Sequence, residues 1–80
     1  MKVLFFASLK ERLNCSELVI DNTYSSVSEL RESLCARGEP WVSALSNEKL
    51  LVAINQEMAK FEDSINASDE VAFFPPVTGG

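Results

Sequence analysis

The sequence contains no histidine. Ser-His-Asp and Cys-His catalysis are therefore excluded within the chain, and so are zinc sites built on imidazole. Its two cysteines, Cys15 and Cys35, stand at no metal or redox spacing and are too few to close a structural zinc site, so no metal ligand set is expected. They read as reduced thiols of a reducing compartment. Cations are also scarce: seven Lys and Arg face twelve Asp and Glu, a net charge of −5. That balance argues against nucleic acid and against an anionic membrane surface, both of which require a basic face. It favours partners with basic docking surfaces. No apolar run approaches the roughly 18 residues that span a bilayer. The opening apolar stretch is cut by Lys10, Glu11 and Arg12 with no cleavage pattern after it, so it reads as a buried strand and the chain as cytoplasmic. Glycine-rich phosphate loops are missing too. With no nucleophile–base pair in 80 residues, the chain is not expected to be a catalyst alone.

What is present is a set of short, well-punctuated elements. Residues 2–7 read as a strand with Val3 and Phe5 on one face and Leu4 and Phe6 on the other. Both faces are apolar, which predicts cover on both. Residues 8–13 form a helical turn, and 17–20 a second strand able to pair antiparallel with the first. Ser26-Val27-Ser28-Glu29 matches a capping box, in which Ser and Glu satisfy orphan amides reciprocally. Val27, Leu30 and Leu34 follow at helical spacing, with Cys35 at the stripe's edge and Gly38 as terminator. Pro40 starts a short helix with Trp41, Val42 and Leu45 as its apolar side. Residues 50–54 and 58–61 read as strands around an Asn55-Gln56 turn. A polar loop pinned by Ile65 leads to the last strand, 70–74, with Val71 and Phe73 opposite Ala72 and Phe74. The expected fold is α+β: a mixed sheet of about five strands crossed on one face by one main helix, with the terminal strands as parallel central neighbours. This is the β-grasp arrangement of ubiquitin.

One helix covers one face. Leu4, Phe6, Met58, Ala72 and Phe74 are left on the other, and a contiguous apolar patch of this kind marks a binding surface. The alternative is that the sheet curls and the 40–45 helix fills a second small core over them. Beyond residue 74 the chain changes character. Residues 1–74 are expected to form the domain and 75–80 an extended tail. Pro75 and Pro76 end the strand and stiffen the tail's base; Val77 and Thr78 continue it; Gly79 and Gly80 leave its end without side chains. Such an end can thread a narrow channel and place a carboxylate deep inside another protein. Adenylation by ATP turns that carboxylate into an acyl donor, and a sulfur nucleophile that displaces AMP leaves a thiocarboxylate. The acidic pairs Glu62-Asp63 and Asp69-Glu70 read as solvated loop surface that also assists docking of an activating enzyme.

The run Val71-Ala72-Phe73-Phe74-Pro75-Pro76-Val77-Thr78-Gly79-Gly80, with Asp69-Glu70 before it, resembles the end of the MoaD family, the small sulfur-carrying subunit of molybdopterin synthase. Lys2-Val3-Leu4-Phe5-Phe6-Ala7 and Leu50-Leu51-Val52-Ala53-Ile54-Asn55-Gln56 fit as well, so the resemblance spans the chain. It implies that an E1-like enzyme adenylates Gly80 with ATP and that a sulfurtransferase supplies the sulfur. The thiocarboxylate then enters the large synthase subunit, in a heterotetramer, and gives sulfur to cyclic pyranopterin monophosphate. No bound cofactor is implied; the sulfur rides covalently on Gly80. Positions matching Phe6, Met58 and Phe74 are implied to contribute to the partner interface. The family often carries Asp-Gly-Asp before the last strand, where this chain has Ala67-Ser68-Asp69. Sulfur carriers for thiamine or tRNA thiolation, and ubiquitin-like modifiers joined through Gly80, share the fold and the tail and stand as alternatives.

Overall fold

A computed structural model describes residues 1–21 and 23–76. The order of elements is β1 (Lys2–Phe5), α1 (Ser8–Leu13), β2 (Glu17–Val19), α2 (Val27–Cys35), α3 (Trp41–Leu45), β3 (Leu51–Ile54), β4 (Glu57–Ala59) and β5 (Glu70–Phe74). The five strands form one mixed sheet in the order β2-β1-β5-β3-β4. At its centre β1 runs parallel to β5, with Val3 opposite Val71 and Phe5 opposite Phe73. The other neighbours are antiparallel. This is the β-grasp topology expected from the order of the elements.

Val3, Phe5, Val52, Val71 and Phe73 point to the helical side and are essentially buried, together with Val27, Leu30 and Leu34 of α2. Each such side chain contributes about 1.5–3 kcal/mol when withdrawn from water, which makes this layer the main stabilising term. Phe5 meets Phe73 in a stack at 6.0 Å and Trp41 edge-on at 5.6 Å. Trp41 is therefore a packing residue. Its outer side is covered by the Arg37 guanidinium, 5.0 Å from the ring.

Helix α2 begins where the capping signal predicts, with a difference in its return half. The Ser26 hydroxyl accepts the Glu29 backbone N–H at 3.3 Å. The Glu29 carboxylate reaches one residue further back, accepting the Ser25 backbone N–H at 3.1 Å and the Ser25 hydroxyl at 2.7 Å. These two bonds, the hydroxyl first, hold the Glu29 carboxyl below the usual carboxylate range. Ser26 lies in a bridge to Ser64, flanked by bonds from the Ile65 N–H to the Ser25 carbonyl and from the Val27 N–H to the Asp63 carbonyl, which tie the start of α2 to the loop before β5. Gly38 adopts φ +90 just past the helix, a conformation natural to glycine.

One alternative is set aside and two expectations are corrected. Helix α3 does not cover the outer face: it packs against α1 and α2, on the helical side. Its buried residues are Ala44 and Leu45, whereas Val42 faces out. In a helix of five residues, small rotations decide which side is in, and Trp41 sets this one by docking on Phe5. Finally β1 ends at Phe5, because Ala7 turns into α1 at φ 54, ψ −130; the Phe6 N–H closes the ladder by donating to the Phe73 carbonyl at 3.2 Å.

Candidate functional site

The outer face of the sheet is built in rows, because strand pairing places alternate residues side by side. The first row joins Lys2 of β1 to Glu70 of β5, with Val19 of β2 on the other side of Lys2. The second runs across all five strands: Glu17 at the β2 edge, then Leu4, Ala72, Ala53 and Met58. The third pairs Phe74 with Leu51, and the Phe6 ring stacks on Phe74 at 5.0 Å with the planes 8° apart. Polarity thus falls along the strands toward the end of β5, the point from which residues 75–80 continue. The two alanines keep the middle row low between the aromatic pair and Met58. The result is two hollows: one of about 340 Å³ over Ala53 and Ala72, and one of about 360 Å³ where Phe6, Leu51, Met58 and Phe74 meet Pro75 and Pro76.

Nothing within the described residues covers this surface. Phe6 is 41% exposed, Met58 66% and Leu51 36%. The expectation that both faces of β1 are covered is therefore corrected: the chain has helices for one side only, and Leu4 and Phe6 stay at least partly open. The structure brings together all five residues expected on the open face. It adds Leu51 and Ala53, which sequence reasoning missed. The run Leu51-Val52-Ala53-Ile54 has no polar member to reveal which residues face out; only its register with β5 does.

Of the predicted tail, Pro75 and Pro76 are described and are half-buried at the end of β5. Val77, Thr78, Gly79 and Gly80 lie outside the described residues. The acidic loop residues act largely on their own backbone. Asp63 accepts the Lys60 N–H at 2.9 Å. Asp69 accepts the Asn55 side-chain amide at 2.9 Å and the Asn66 N–H at 2.8 Å, and these bonds, Asn55 first, lower its pKa. The Ala67-Ser68-Asp69 turn, which has no glycine, is thus closed by its aspartate. Cys15 and Cys35 are unbridged, and among the described residues no group of His, Cys, Asp or Glu is disposed to hold a metal ion. None of the helices there is long and apolar enough to cross a membrane.

Comparison with known proteins gives a consistent picture. The model of the ThiS family matches residues 3–80. The molybdopterin synthase sulfur carrier subunit of Haemophilus influenzae is 41% identical over 80 residues, covering 100% of this chain and 99% of the relative. The solution structure of small archaeal modifier protein 1 from Methanosarcina acetivorans superposes with a TM-score of 0.76 at 25% identity, covering 99% of this chain and 94% of that one. A chain of the complex of subunits 1 and 2 of molybdopterin-converting factor from Helicobacter pylori has the same fold, with a TM-score of 0.66 at 22% identity over 99% of this chain and 96% of that one.

Proposed function

The chain belongs to the ThiS family, and from that premise we propose that it is the sulfur carrier subunit of a molybdopterin synthase. The observation that carries the reading is the apolar third row of the open face, Phe6, Phe74 and Leu51, at the root of a tail ending in Gly-Gly. A carrier needs a surface that docks and an end that reaches, and Pro75 and Pro76, from which the last four residues of the sequence continue, border that surface.

In the proposed cycle an E1-like enzyme binds the open face and the Gly80 carboxylate attacks the α-phosphate of ATP, releasing pyrophosphate. Sulfur at the sulfide level, supplied by a sulfurtransferase, attacks the acyl carbon, the acyl–phosphate bond breaks and AMP leaves, and a thiocarboxylate remains. The same face then docks on the large subunit, in a heterotetramer of two carriers on a large-subunit dimer, with Phe6, Met58 and Phe74 in the interface. The tail carries its sulfur to cyclic pyranopterin monophosphate. A large-subunit partner is supported by the synthase name of the relative and by the two-subunit complex in which the same fold occurs. The acid–base groups are assigned to the large subunit, since this chain lacks histidine. The cycle is proposed to run in the cytoplasm, where Cys15 and Cys35 stay as thiols.

Intact mass spectrometry tests this. After incubation with ATP, the activating enzyme and a sulfur source, the protein should gain the mass of one sulfur replacing one oxygen, and removal of Gly80 should abolish the gain. The likeness to an archaeal modifier keeps a conjugation reading in view. Amide-linked adducts of Gly80 to other proteins, with no thiocarboxylate, would support that reading and overturn the carrier one.

A further inference from the structure

The root of the tail has a second side. Opposite the apolar hollow, Pro75 and Pro76 wall another cavity, of about 320 Å³, lined by Ser8, Arg12 and Asn47 over a floor that includes Leu50. Its polar lining is made of donors. Arg12 carries five N–H groups and no acceptor. Asn47 commits its side-chain oxygen to the Lys49 backbone N–H at 2.8 Å, which leaves the amide nitrogen to donate. Ser8 adds a hydroxyl, and no Asp or Glu lines the cavity. Among the described residues the ion pair found is Lys2–Glu17, with neither partner in this cavity, so Arg12 is unpaired. The carboxylate that feels its charge, Glu39, is already held by the Ser43 backbone N–H at 3.1 Å and by the Ser43 hydroxyl.

We propose that this cavity receives an Asp or Glu side chain of the large subunit that accepts the tail, and that Arg12 is the positioning residue that fixes it. The inference rests on the sulfur-carrier reading. Its logic is directional. Apolar contact on the open face brings two surfaces together without fixing their rotation, whereas a tail that must enter a channel needs one orientation. A charge-assisted, bidentate arginine–carboxylate contact on the other side of the same root supplies it. The acidic balance of the chain sharpens the effect: a partner carboxylate is disfavoured by the overall charge of −5 and favoured beside a cation with no acidic side chain lining its cavity. A side chain delivered by a docked partner also arrives at high effective concentration, which an exposed single-arginine site needs.

The test is a binding titration against the purified large subunit at low and high salt, with sulfur transfer measured alongside. Arg12→Ala should weaken binding about fivefold at low salt and flatten its salt dependence, and Arg12→Glu should weaken it further. Lys10→Glu changes charge equally on the same helix but lines a different hollow, beside Cys15, and should have the smaller effect. Arg12 is exposed, so each variant should melt as the parent does. Wild-type affinity in Arg12→Glu overturns the proposal; if Phe74→Glu still weakens binding in the same assay, the sulfur-carrier reading survives it. A saturable, Arg12-dependent site for inorganic phosphate or acetate by NMR, with partner affinity unchanged in Arg12→Glu, assigns the cavity to a free anion and likewise overturns the proposal.

Discussion

Ala7 sits at φ 54, ψ −130, a backbone region in which a Cβ is crowded and glycine is not. It is held there because Phe6 must stay on the open face while Leu9, two residues on, enters the core. Ala7 also lines the apolar hollow beside Pro75 and Pro76, so local strain and the proposed docking surface coincide. Ala7→Gly should relieve the strain and raise stability by about 1 kcal/mol, read as a higher denaturation midpoint. An unchanged or lower midpoint would mean that the backbone there is unstrained. The charged loop residues give the complementary lesson. Asp69 and Asn55 are tied to each other and to neighbouring backbone, with the Glu70 N–H donating to the Asn55 side-chain oxygen at 3.0 Å. In the sequence they are merely polar; the bonds that occupy them link positions far apart in the chain.

At the scale of elements, two short motifs carry much of the order. Around the start of α2, the Glu29 carboxylate must be ionised to accept its two bonds from Ser25. Its pKa is depressed in the fold, so its stabilising effect is present at neutral pH and is lost as pH falls below the ordinary Glu value and through the lowered one. Thermal melts should show Glu29→Gln losing less stability between pH 7 and pH 3 than the parent; equal losses would place the acid sensitivity elsewhere. In the β3–β4 hairpin, Ile54 pairs with Glu57 and leaves a two-residue loop, Asn55 at φ 50 and Gln56 at φ 70. Positive φ at both positions is the turn that suits the twist of the strands, and glycine favours the second position. Gln56→Gly should therefore stabilise the fold by about 0.5–1 kcal/mol by chemical denaturation, and a destabilised variant would show that Gln56 makes contacts worth more than its strain. These elements were legible beforehand. The capping signal, the Asn-Gln turn and the proline pair act over a few residues, and so do the preferences they express. Strand ends were less so: β1 stops at Phe5 because Ala7 turns the chain into α1, and β4 at Ala59, its last residue paired with β3.

For the whole molecule, the division of labour between the two faces of the sheet is decisive. One face is closed by α2 and its neighbours; the other presents an aromatic pair beside Pro75 and Pro76. Phe74→Glu should leave the fold intact, since the ring is only half-buried, yet weaken binding to the large subunit by at least about tenfold, because it puts a charge at the centre of an apolar contact. Binding at parental affinity, measured by titration with the purified subunit, would remove Phe74 from the interface. The sequence alone determined the kind of element at each stretch, the inward stripe of α2, the absence of histidine and the Gly79-Gly80 pair, because periodicity, capping and composition are local properties. Only the tertiary structure decided that Leu51 and Ala53 join Leu4, Phe6, Met58, Ala72 and Phe74, that α3 leaves this face open, and that Arg12 lies beside Pro75 and Pro76. Those facts depend on register and packing between segments distant in the chain, for which a one-residue slip would turn every outward side chain inward.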